Sequence, residues 1–106
     1  MAVQYDLKAL EQNPENFQAM VHLALVHLFA GRGASADAWI RQAERLRPEH
    51  GDVRLRRCEY EFATGQYQAG LRRLTALLAE HPYFVPAQRL YANVVRRPEE
   101  TKGQGL

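Results

Sequence analysis

The sequence predicts an all-α fold of about six helices, arranged as stacked antiparallel pairs. Three observations lead there. Pro14, Pro48 and Pro82 lie 34 residues apart, and a fixed period of this length marks a repeated supersecondary unit. Gly31 and Gly65 keep the same interval. So do small residues: Ala24 recurs as Cys58 and Ala92, Ala2 as Ala36 and Gly70, and Ala9 as Ala43, with Leu77 ending that series.

Each punctuating residue has its own physical reason. Proline lacks an amide hydrogen and turns the preceding residue away from helical angles, so helices are expected to end at Arg47 and His81. Gly31 and Gly65 mark tighter turns inside each unit, where a left-handed residue is wanted. Small residues in mid-helix let two helix backbones approach closely.

Taken in order, residues 1–16 hold a first helix ending before Pro14. Residues 17–30 follow, with Asn16 as N-cap, and 34–47 form the return helix. Residues 52–64, with Asp52 as the expected cap, and 67–80 form the second pair. Pro86 suits the first turn of a final helix over about 86–97, because the amide it lacks would be unpaired there anyway. Residues 98–106 read as a polar C-terminal tail.

This pattern resembles the tetratricopeptide repeat (TPR) family, whose unit is a 34-residue helix-turn-helix. Leu23, Ala24, Gly31, Ala36, Ala43 and Pro48 match its pattern in the first whole unit, and Gly65, Tyr67 and Pro82 in the second. The second unit departs at Arg57, where the family prefers leucine, and at Leu77, where it prefers alanine. The resemblance implies one domain over 1–97: a half repeat (1–16), two whole repeats (17–50 and 51–84) and a capping half repeat (85–97), wound as a right-handed superhelix. A lone unit cannot cover its own apolar faces, so neighbours must stack.

Composition narrows the function. Fourteen basic and 12 acidic side chains give a net charge of only +2, so the total does not call for a nucleic-acid backbone. Arg56-Arg57, Arg72-Arg73 and Arg96-Arg97 have few aromatic neighbours and point about 100° apart within each pair, the expectation for solvated faces. Cys58 is the only cysteine, which removes any intrachain disulfide and makes a reducing, cytoplasmic setting the expectation. No apolar stretch reaches membrane-spanning length.

No cofactor or metal is expected. His22 and His27 do not share a helix face, and His50 and His81 adjoin unit boundaries, so no zinc-like spacing arises. Cys58 replaces a small residue at a helix contact and reads as an inert thiol. No catalytic triad, phosphate loop or paired carboxylates appear, so the chain is not expected to be an enzyme. Arg54, Arg57 and Glu61 place charge on one helical stripe, with an Arg57 to Glu61 pair at i, i+4 as the simplest account.

The helix "FQAMVHLALVHLF" carries two apolar stripes, and two apolar faces need two covers. The resemblance implies that Val21, Leu25, Leu28 and Phe29 line the concave surface, continued by Leu55, Glu59, Phe62 and Ala63, then by Arg89, Asn93, Arg96 and Arg97. The expected function is a protein-interaction adaptor or chaperone-like scaffold. Its partner would be a protein or peptide segment with apolar anchors and acidic groups, not a nucleic acid or membrane. The alternative is a homo-oligomerisation module pairing through the same surface. Some TPR domains bind chaperone C-terminal carboxylates through Lys and Asn, but Val21 and Leu25 stand at those positions here. Arg89 and Asn93 resemble that pair only on the last helix.

Overall fold

The described residues form six helices in chain order: α1 (Ala2–Gln12), α2 (Phe17–Phe29), α3 (Gly33–Leu46), α4 (Gly51–Ala63), α5 (Tyr67–Glu80) and α6 (Val85–Gln104). The computed structural model describes the backbone over residues 2–104 and the side chains over residues 4–96. No strand occurs among the described residues.

The 34-residue period is written into the backbone. Asn13, Arg47 and His81 each donate their N–H to the carbonyl four residues earlier, on Ala9, Ala43 and Leu77, at 2.8 Å in every case. The prolines follow directly. Asn16, His50 and Phe84 then close the same turn by donating to the carbonyls of Asn13, Arg47 and His81 at 3.1, 3.2 and 3.1 Å.

The turns inside the units are also duplicates. Gly31 and Gly65 adopt φ of 74° and 83°, the left-handed region where any other residue is strained. Arg32 donates to the His27 carbonyl and Gly31 to that of Leu28, while Gln66 donates to Glu61 and Gly65 to Phe62. Each pair of bonds is a Schellman closure, which satisfies carbonyls the helix end would otherwise leave bare.

Asn16 caps α2 as its sequence suggests, its side chain accepting from the Ala19 amide at 3.2 Å. The expected cap at Asp52 is corrected. His50 is the N-cap of α4, its Nδ1 accepting from the Asp52 amide at 3.1 Å, and Asp52 lies in the first turn. α6 also passes its expected end at residue 97 and continues as helix to Gln104.

Successive helices pack on one another, and α2 also packs on α4. The stack measures 54 × 29 × 20 Å. Two apolar clusters hold it. Met20 and Val21 of α2, Ala43 of α3 and Val53 of α4 form the first, joined by Leu10, Phe17, Trp39 and Leu46. Leu55, Cys58, Leu74, Leu77 and Ala87 form the second, joined by Phe62, Leu78, Phe84 and Leu90. Small residues act as expected at these seams: Ala36 and Ala43 are fully buried, and the Phe62 ring lies against Gly70.

Candidate functional site

The stripe along α2 divides by depth. Val21 is only 6% exposed and belongs to the first apolar cluster; Leu55 on α4, at 4%, belongs to the second. Both are core residues rather than groove lining, because the helices on either side close over them. Leu25, Leu28 and Phe62 are half-buried, with Phe62 edge-on to Tyr67. Phe29, at the end of the stripe, is 85% exposed. Burying its ring in water-free contact would gain roughly 2 kcal/mol.

Arg56 ties this surface together. Its Nε donates to the Val21 carbonyl on α2 at 3.2 Å, and the same guanidinium holds the Glu59 carboxylate. Burial pushes the Glu59 carboxyl above the usual range, and Arg56 only partly offsets it. Arg89, Asn93 and Arg96 on α6 are exposed, as is Ala63, while the side chain of Arg97 lies outside the described residues. The surface therefore passes from apolar at α2, through a paired carboxylate at α4, to basic at α6.

The charged stripe on α4 turns out differently from its simplest sequence reading. Arg57 does not pair with Glu61. Its Nε and terminal nitrogen grip Glu44 of α3 at 3.0 and 2.9 Å, its other nitrogen reaches Asp37 at 2.7 Å, and the Tyr60 ring lies beneath it. Hydrogen bonds donated to Glu44 above all, then to Asp37, hold the Arg57 guanidinium even more firmly protonated than usual. Burial alone would raise the Asp37 carboxyl, but Arg57 and Arg41 together outweigh it and leave it lowered.

Glu61 is buried and turned the other way, to Arg73 of α5, with both carboxylate oxygens within 3.0 Å of its Nε. Arg54 reaches Glu80 of α5 at 2.6 Å, and that hydrogen bond draws the Glu80 carboxyl down. A cleft of about 240 Å³ remains between these groups, floored by Val53 and walled by Arg54, Arg57, Arg73 and Glu44. Three guanidinium groups and one carboxylate line it. It is a polar seam between helices rather than an open patch.

The sequence did carry a signal for these partners. Asp37 and Glu44, Arg54 and Glu61, and Arg73 and Glu80 are each seven apart, so each pair lies on one face of its helix. Three charged stripes on consecutive helices face one another across the hairpin.

The remaining chemistry is quiet. Burial, reinforced by the nearby charge of Glu61, pushes the Cys58 thiol up to about 12. His22 meets Asp6 of α1 through its Nδ1. Among the described residues no three metal-ligating side chains converge, and no helix is long and apolar enough to cross a membrane. Compared with known proteins, the chain matches no family model, no curated protein and no solved structure.

Proposed function

We propose that this chain is a TPR-like protein-interaction module, an adaptor or chaperone-like scaffold working in the cytoplasm without catalytic chemistry of its own. The observation that carries the reading is Phe29, a ring 85% exposed at the end of a stripe whose neighbours Leu25 and Leu28 are half-buried. A large apolar side chain offered to solvent beside partly covered ones is the form a docking anchor takes. The partner segment lays apolar side chains over Leu25, Leu28 and Phe29 and directs acidic groups toward Arg89, Asn93 and Arg96.

Fluorescence anisotropy with labelled amphipathic peptides, acidic at one end, tests this. Wild-type protein is expected to bind them. Phe29→Glu abolishes binding without moving the melting temperature, and Arg89→Glu with Arg96→Glu weakens it and flattens its salt dependence. Equal binding by wild type and Phe29→Glu removes this surface from consideration.

The same exposed ring favours a second reading, self-pairing through this surface. It is distinguished by a dimer in light scattering that disappears in Phe29→Glu.

A further inference from the structure

We propose that the cavity at the turn between α5 and α6 binds a small aromatic cation, its ring seated over Gly51 and its charge answered by Asp52 and Glu80. The chain supplies its own comparison. The turns after α3 and α5 share one backbone: His50 donates to the Arg47 carbonyl at 3.2 Å, and Phe84 to that of His81 at 3.1 Å. At the first of them the ring of Phe17 has company on two sides. It tilts against His50 with ring centroids 4.7 Å apart, and the Arg47 guanidinium lies over it, 5.4 Å from its centre. Thirty-four residues later Phe17, Arg47 and His50 are replaced by Gly51, His81 and Phe84. The flanking groups return as rings, and the ring between them is missing.

A cavity of about 580 Å³ opens at this place, lined by Gly51, His81 and Phe84, and within the roughly 300–1,000 Å³ range of small-ligand sites. The Phe84 ring leans over Gly51, 3.1 Å from where a Cβ would stand, and so makes one wall. Tyr83 takes the place of Glu49 and makes another; its ring is 89% exposed.

The rim has changed as well. Where the first turn has Gln18 and Leu46, this one has Asp52 and Glu80, and both line the cavity. Among the described residues the nearest cationic group to the Asp52 carboxylate is His50, with Nδ1 at 3.9 Å. That nitrogen already accepts the Asp52 amide proton, so it has none to offer the carboxylate. Glu80 gives one oxygen to Arg54 and leaves the rest of its half-exposed carboxylate to solvent. An aromatic ring is thus offered the faces and edges of other rings, where offset or edge-on stacking is favourable, and a cation is offered carboxylates beside those rings. A ligand carrying both groups uses the whole site. An aliphatic cation forgoes the stacking, and an aromatic anion meets Asp52.

Titration of the full, isotope-labelled chain with phenethylamine, followed by amide chemical shifts, tests the assignment. Shifts are expected to centre on residues 50–52 and 80–84 and to saturate with a Kd of about 1 mM, the range open to so small a ligand. Cyclohexylethylamine has the charge without the aromatic ring, and hydrocinnamate has the ring with the opposite charge. Each should bind at least about tenfold more weakly. Gly51→Phe supplies the ring from within, as Phe17 does at the first turn, and should abolish binding while the chain stays folded. If Phe84 does not yield to the new side chain and that variant fails to fold, Tyr83→Ala and Asp52→Asn, both at exposed positions of the rim, decide the matter. Each should weaken binding at least about threefold.

Absence of saturable shifts in the wild type overturns the proposal. So does equal affinity for the three compounds, undiminished binding by folded Gly51→Phe, or undiminished binding by both rim variants. Phe29 is not among the residues that line this cavity, so loss of amine binding here and loss of peptide binding there are separate outcomes.

Discussion

Arg57 shows how one side chain can stand in for an apolar contact. At 13% exposure it lies where a leucine would pack, and it recovers its desolvation cost by satisfying two carboxylates of α3 at once. Truncation therefore leaves Asp37 and Glu44 facing each other. Arg57→Met is expected to lower unfolding free energy by about 2 kcal/mol, below the usual figure for breaking a fully buried pair because Glu44 is partly solvated. Urea denaturation measures this, and an Arg57–Glu44 double-mutant cycle should return a coupling of the same sign. Asp37 adds a pH dependence. Its carboxyl is lowered in the folded state, so its contribution is complete above the ordinary carboxylate range and is lost as pH falls through the folded value. Asp37→Asn should flatten the acid limb of a stability-versus-pH curve, and an unchanged limb would show that other carboxylates dominate it. The charged stripe on α4 is visible in the sequence, as are the matching seven-residue spacings on α3 and α5, but which carboxylate each arginine takes is not. Which neighbour a stripe faces depends on helix rotation about its axis, and an i, i+4 neighbour such as Glu61 is always the nearer candidate on paper.

At the scale of elements, punctuation was far easier to read than caps. Proline and glycine act through covalent geometry, so Pro48, Pro82, Gly31 and Gly65 place their helix ends whatever packs around them. Caps depend on which nearby polar atom reaches the free amides. At α4 the imidazole of His50 does so, two residues before the carboxylate of Asp52, a role that sequence preference does not suggest. The glycine turns give a direct test. Gly65→Ala must hold a left-handed angle and should cost about 1 kcal/mol, read as a lower urea midpoint with an unchanged denaturant slope. Gly31→Ala should behave alike, because both turns are closed by the same pair of bonds. A neutral result at either site would mean that the turn had rearranged. The apolar stripe of α2 was legible as a stripe, yet its division into buried Val21 and exposed Phe29 was not. That division follows from how far α4 overlaps α2, a tertiary quantity.

Across the whole molecule, the period of 34 was the most legible property, since backbone hydrogen bonds recur at it through three successive turns. Both hairpins hold an apolar cluster, and the second adds charged contacts to it. Met20, Trp39 and Leu46 belong to an apolar cluster in the first, whereas Arg54–Glu80 and Glu61–Arg73 are ionic closures in the second. Added sodium chloride screens exposed parts of an ionic closure and leaves apolar contact untouched. Amide hydrogen exchange measured at low and at about 1 M salt should therefore show faster exchange in residues 51–80 relative to 17–46, and a uniform change along the chain would exclude it. The seam chemistry thus makes the stack a composite whose weaker layer is chosen by the solvent. Cooling, which weakens apolar burial, loosens both layers, whereas brine acts on the C-terminal one, where the added ion pairs lie.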